Sequence, residues 1–234
     1  MAFFGGGTLT FLGHATFHLT TPGGRRLLLD PWVRSNPVCP EDSYDIGPLD
    51  IILVTHGHTD HIGDLVEIAR ETGAKVICTA DVADWLAGQG LKNTLTMNMG
   101  GTILRDGLRL TMTRADHASR VGDHPGGQAV GFILTLENEL TLYAAGDTGL
   151  FGDMALLGQL YAPDFALLPI GDRFTMGPQQ AAHACRLLGA THVVPMHYGT
   201  FPFLTGTVAA FETELGRLGL RPQVHALHPG QSLT

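Results

Sequence analysis

Nine residues in this chain stand out as able to hold a metal ion or move a proton, and four of them fall within one short run. That run is His56-Gly57-His58-Thr59-Asp60-His61, which places three imidazoles and a carboxylate within six residues. His117, Asp147 and His197 follow at long intervals, and Asp30 and His14 precede. In extended backbone, residues two apart point the same way, so His56 and His58 can converge on one ion. Gly57 between them has no side chain and permits a tight backbone path. Asp60 and His61 follow where a helix begins, and the change of direction can aim them at a second ion. Imidazole and carboxylate donors without cysteine suit zinc, manganese or iron. A lone histidine more often caps a turn or satisfies a core hydrogen bond; three with an aspartate at one strand-to-helix junction favour ligation.

The elements that must position these groups can be read from hydrophobic periodicity and turn residues. Residues 8–19 and 25–30 read as two strands joined by the turn Thr21-Pro22-Gly23-Gly24, the second ending at Asp30-Pro31. Residues 31–49 read as an irregular loop. Ile51–Val54 is a short apolar run typical of a strand covered on both faces, and residues 60–72 carry helical spacing that Gly73 stops. Lys75–Thr79 reads as a strand, and Asp81–Ala87 as a short helix capped by Asp81. Strands are expected at Thr102–Leu104, Leu108–Arg114, Ala129–Leu136 and Leu140–Ala145. Phe165–Ile170 and His192–Met196 are further strands, with helices at Pro178–Leu188 and Val208–Leu218. No linker or repeat interrupts the pattern, so residues 1–234 are expected to form one α/β domain with mixed sheets.

Four of these strands run at their carboxyl ends into the donor residues: 51–54 into His56–His61, 108–114 into His117, 140–145 into Asp147, and 192–196 into His197. Ligands in open α/β sheets collect outside the carboxyl ends of strands, so these groups are expected to share one rim.

Composition narrows the function. Lys and Arg number 14 against 22 acidic residues, a formal charge of −8, which works against nucleic acid or an anionic membrane as partner. Cys39, Cys78 and Cys185 are far apart and form no CxxC pair, as expected of thiols in a reducing compartment. The amino-terminal residues carry no basic segment ahead of an apolar one, and no apolar run approaches the ~20 residues of a membrane helix. A cytoplasmic location is the expectation.

The run His56–His61 resembles the HxHxDH signature of the metallo-β-lactamase superfamily, with His117, Asp147 and His197 in that superfamily's order and Asp30 matching its early aspartate. More narrowly, Leu12-Gly13-His14-Ala15-Thr16, Gly146–Asp153, Thr175-Met176-Gly177-Pro178 and Pro195-Met196-His197-Tyr198 resemble small metal-dependent hydrolases related to the ascorbate-6-phosphate lactonases. The resemblance implies an αββα sandwich, two mixed β-sheets flanked by helices, with a dinuclear centre on one edge. It implies two divalent ions, zinc foremost: His56, His58 and His117 on the first, Asp60, His61 and His197 on the second, and Asp147 on both. Cysteine at the bridging position would point to true β-lactamases, and glutamate in place of His58 to a diiron redox relative; neither is present. Hydrolysis of an ester, lactone, amide or phosphodiester in a small molecule is then expected. Asp60 is a candidate for steering or accepting a proton, Asp30 for holding a ligand imidazole by its other ring nitrogen, and His14 for lining the pocket. For Asp30 a plain strand-end turn, and for His14 a packed strand histidine, are the bland alternatives. Related lactonases suggest a homo-oligomer. An RNA-processing nuclease and a non-catalytic metal- or ligand-binding protein on the same fold are the rival functions; the chain lacks room for the inserted nuclease domain of the mRNA-processing branch.

Overall fold

A computed structural model describes residues 4–234. Its first sheet contains β1 (Thr8–Gly13), β2 (Thr16–Thr20), β3 (Arg26–Leu29), β4 (Ile51–Leu53), β5 (Lys75–Cys78) and β6 (Thr94–Thr96). The second contains β7 (Thr102–Arg105) and β8 (Leu108–Arg114), then, after a separate two-stranded ribbon of β9 (Arg120–Val121) and β10 (His124–Pro125), β11 (Val130–Thr135), β12 (Thr141–Ala144), β13 (Phe165–Pro169), β14 (His192–Met196) and β15 (Gln223–Val224). The last strand, β16 (Ser232–Leu233), returns to the first sheet and pairs with β1. The two seven-stranded orders are β16-β1-β2-β3-β4-β5-β6 and β15-β14-β13-β12-β11-β8-β7.

Alternation along the strands explains why the sheets pack face to face. Leu27, Leu29, Ile51 and Leu53 point inward, where they meet Leu110, Met112, Phe132, Leu142, Leu167 and Val194 of the opposite sheet. Their neighbours point outward: Leu28, Ile52 and Val54 pack under α1 (Thr59–Ile62), α2 (Leu65–Thr72) and α3 (Ala80–Gly88). On the other side Ala166, Leu168 and Val193 pack under α4 (Met154–Tyr161), α5 (Pro178–Leu188) and α6 (Val208–Arg217). A strand buried on both faces must be apolar at every position, which is what the runs Ile51–Val54 and Phe165–Pro169 are. The result is the four-layer αββα arrangement with mixed sheets. No helix among the described residues is long and apolar enough to cross a membrane.

Strand direction sets the position of the site. β3, β4 and β5 run parallel, and β1 shares their direction through two antiparallel steps. In the second sheet β12, β13 and β14 run parallel, and β8 shares their direction through β11. The carboxyl ends bearing His14, Asp30, His56, His117, Asp147 and His197 therefore gather along the edges of the two sheets.

Several expected boundaries are corrected. The strand read over 8–19 is two strands, β1 and β2, broken where Gly13 and His14 both take left-handed backbone (φ 104° and 58°). His14 thus lies in a turn, not in a strand. The helix read over 60–72 is likewise two, α1 and α2: Asp64 lies between them, its carboxylate accepting from the backbone N–H of Val33 (2.6 Å) and Ser35 (3.2 Å). Thr79, not Asp81, occupies the N-cap of α3. α4, β6, β15, β16 and the β9–β10 ribbon between β8 and β11 are additions.

Candidate metal centre

Asp30 organises the base of the site. It is buried at the end of β3, where its backbone takes φ 47°. One carboxylate oxygen accepts the Thr55 N–H (2.8 Å); the other accepts the Thr55 hydroxyl (2.7 Å) and stands 2.8 Å from His61 Nδ1. A carboxylate only accepts, so the single hydroxyl proton of Thr55 is committed to it, and the Thr55 oxygen accepts from His56 Nδ1–H at 3.0 Å. Asp30 therefore fixes two imidazoles at once, His61 directly and His56 through Thr55. Both turn Nε2 toward the centre.

What they face is Asp147, from the carboxyl end of β12. Its Oδ2 lies 3.0 Å from His197 Nε2, 3.3 Å from His61 Nε2, 3.6 Å from His117 Nε2 and 3.9 Å from His56 Nε2. Asp147 Oδ1, His61 Nε2 and His197 Nδ1 are buried with no hydrogen-bond partner. Orphaned buried polar atoms are costly and call for an unshown partner. On one side of Asp147, His58 Nδ1 is 2.9 Å from His56 Nε2 and 3.3 Å from His117 Nε2. One Nδ1–H cannot satisfy both nitrogens. On the other side, His14 Nε2 meets Asp60 Oδ2 at 3.1 Å, and His197 Nε2 lies 4.0 Å from the same oxygen.

Three groups of donors have ligand atoms mutually within 4.8 Å: His56, His58 and His117; His56, His61 and Asp147; and His14, Asp60, His61 and His197. Every metal-ligand residue expected from the sequence is thus brought into one cluster, and His14 joins it. Asp116, beside His117, turns away instead, its carboxylate held by Arg114 at 2.6 Å. His18, His124, His183, His192, His225 and His228 stay outside the cluster.

The electrostatics suit a bound cation. Burial pushes His56, His58 and His117 below the ordinary imidazole pKa, so all three offer lone pairs at neutral pH. Burial also opposes charge on His61, but Asp147 and Asp30, one at each ring nitrogen, outweigh it and raise its pKa well above the usual value. The pocket favours positive charge at that point, which a cation at Nε2 supplies equally well. Asp147 is held far below the carboxylate range: burial works against this, and His61 and His197 overcome it. Burial lowers His14 to about 4 despite the Asp60 hydrogen bond. It is neutral at pH 7, so it donates Nε2–H to Asp60 and accepts the Thr200 hydroxyl at Nδ1 (2.9 Å). Asp60 stays ionised because that hydrogen bond and the nearby His61 outweigh its burial.

Gly57 is needed for a different reason from a tight turn. A side chain there would strike Val121 and the Arg120 carbonyl, so glycine lets β9 pack directly against the backbone between His56 and His58. Sequence reasoning missed Thr55, Thr200 and the rings Trp32 and Phe201, which pack 5.2 and 5.7 Å from His14. Only Thr55 carried a signal, its position between a strand end and His56.

Comparison with known proteins gives the family. Residues 25–198 match the model of the β-lactamase superfamily domain. A UPF0173 metal-dependent hydrolase of Rubrobacter xylanophilus is 50% identical, covering 98% of this chain and 97% of its own. Another, from Methanopyrus kandleri, is 44% identical over 96% and 98%. Among solved structures, a metallo hydrolase from the archaeon Ignicoccus hospitalis is 38% identical with a TM-score of 0.87, covering 97% of each chain. The chain therefore belongs to the β-lactamase superfamily domain family and, within it, to the UPF0173 metal-dependent hydrolases.

Proposed function

We infer that this chain is a hydrolase of small molecules carrying an ester, lactone, amide or phosphodiester bond, and that it works with two divalent cations, zinc foremost, with manganese or iron as alternatives. His56, His58 and His117 would hold one; Asp60, His61 and His197 the other; Asp147 would touch both. The observation that carries the reading is the surrounding of Asp147 Oδ2 by four imidazole Nε2 atoms, with Oδ1 left buried and unpaired. Bound divalent cations supply Lewis acidity, lowering the pKa of a water from 15.7 toward ~7 and polarising a carbonyl or phosphoryl oxygen.

The chain's own residues do the rest. Asp30 and Thr55 hold His56 and His61 in the tautomers that present Nε2. His14, itself fixed by Thr200, holds Asp60. Of the carboxylates in the cluster, Asp60 is the accessible one, with 31% of its side chain exposed against 3% for Asp147. It is ionised and faces solvent, so it is the group placed to steer an attacking water by accepting its hydrogen bond. No side-chain nucleophile is required; the cysteines lie outside the cluster and burial raises their pKa values.

The test is turnover of lactones, thioesters and bis(p-nitrophenyl) phosphate by metal-loaded protein, chelated protein and chelated protein with metal restored. Loss and recovery of hydrolysis on at least one substrate is expected. A broad panel without metal-dependent turnover would return the protein to a binding role.

A further inference from the structure

A file of aromatic rings leads out from the donor cluster. His14, which holds Asp60, has Trp32 and Phe201 against its ring. Trp32 stacks with Phe201 at 6.0 Å, Phe201 stacks with Phe203 at 5.1 Å, and Phe203 meets Phe174 edge to face at 5.7 Å. Exposure grows along the file, from 6% at Trp32 to 40% at Phe203 and 52% at Phe174. Large exposed phenyl groups carry a hydrophobic cost that a partner would remove. The Arg173 guanidinium ends the file, 5.2 Å from the centroids of both Phe174 and Phe203.

Arg173 is set there by its backbone. Asp172 and Arg173 are consecutive non-glycine residues in left-handed conformation (φ 66° and 62°), and the Asp172 carboxylate accepts the Arg173 N–H at 2.7 Å. Such strain persists only where surrounding structure enforces it. The enforcing contacts are local: Asp172 N–H bonds the Met176 carbonyl and Gly206 N–H the Gly171 carbonyl, which ties the 171–176 loop to the segment carrying Phe201 and Phe203. Although the chain is acidic overall, Arg173 has no ion pair among the described residues, unlike Arg25, Arg34 and Arg114. Its guanidinium is a fork of donors without an acceptor, placed over ring faces rather than against a carboxylate.

We propose that Trp32, Phe201, Phe203 and Phe174, ending at Arg173, form the wall that selects the substrate of the metal centre: a small molecule with an apolar acyl or ring portion beside the cleaved bond and an anionic group beyond it. The rings take the apolar portion, and Arg173 takes a carboxylate or phosphate through paired N–H donors. This rests on the hydrolase reading given above. At the outer end of the wall the Arg173 guanidinium opposes the chain's net negative charge, and the neighbouring Asp172 carboxylate is turned to the Arg173 backbone N–H.

The experiment compares two esters of matched length, monophenyl glutarate and phenyl pentanoate, on metal-loaded protein. The parent is expected to favour the anionic ester in kcat/KM, and Arg173→Gln to lower the anionic-to-neutral ratio about tenfold, expressed in KM, with Arg173→Lys recovering part of it. Phe203→Ala is expected to raise KM for both esters. A ratio that does not change in Arg173→Gln overturns the proposal, and continued hydrolysis of both esters in that case leaves the hydrolase reading intact. If neither ester is turned over, titration calorimetry with 4-phenylbutyrate decides: affinity at least fivefold weaker in Arg173→Gln supports the wall, and equal affinity overturns it. A Phe203→Ala change that dissociates an oligomer while KM for both esters stays at the parent value assigns the patch to a second copy of the chain and also overturns the proposal.

Discussion

Replacing Asp30 by Asn changes one buried atom and should weaken metal binding without dismantling the fold. Asn matches Asp in shape and tolerates φ 47° at least as well, so the backbone is not the variable. The carboxylate accepts three hydrogen bonds, from Thr55 N–H, Thr55 hydroxyl and His61 Nδ1. With the amide NH2 at the Oδ2 position, two donors face a third, and His61 relieves the conflict by moving its proton to Nε2, toward Asp147. The Thr55 hydroxyl loses its acceptor, and the tautomer of His56 is no longer set. With the amide turned the other way, its NH2 faces the Thr55 N–H, an unmade buried bond worth about 1–3 kcal/mol. Loss of such an orienting partner typically costs ~10–100-fold in metal affinity, about 1.4–2.7 kcal/mol. Competition with a chromogenic chelator measures the affinity, and circular dichroism melts of metal-free parent and variant separate it from general damage. Affinity within twofold of the parent, with an intact fold, would refute the role given to Asp30.

Two further outcomes follow from burial. Burial pushes Cys39 up to about 11 and Cys78 and Cys185 up to about 12, so at pH 8 little thiolate is present. Ellman's reagent should find three thiols after denaturation and almost none in minutes on the folded protein; rapid labelling of folded protein would contradict that packing. Phe132 is fully buried between the sheets, so Phe132→Ala should cost about 3–5 kcal/mol in urea unfolding of metal-free protein, and a cost under ~1 kcal/mol would place it outside the core.

Where local chemistry decides structure, the sequence was sufficient. α5 starts at Pro178 and stops at Gly189, which takes the left-handed conformation that favours glycine there. β14 and β8 were equally legible from their apolar patterns. The break at Gly13-His14 was not, because His14 is held by Thr200 and Asp60 from distant parts of the chain. The interruption between α1 and α2 was hidden for a similar reason: Asp64 serves the loop that carries Val33 and Ser35. β15 and β16 are two-residue edge strands whose pairing depends on β14 and β1 more than on their own residues. The histidine cluster was visible because its members sit at strand ends. The ring file was not, since nothing local links Trp32 to Phe201.

Metal stoichiometry by plasma mass spectrometry, on parent and Asp147→Ala protein prepared side by side, bears most directly on the bridging role proposed for Asp147. Two ions per chain in the parent and a clear loss in the variant are predicted. Equal content in both, with the variant folded, would contradict it.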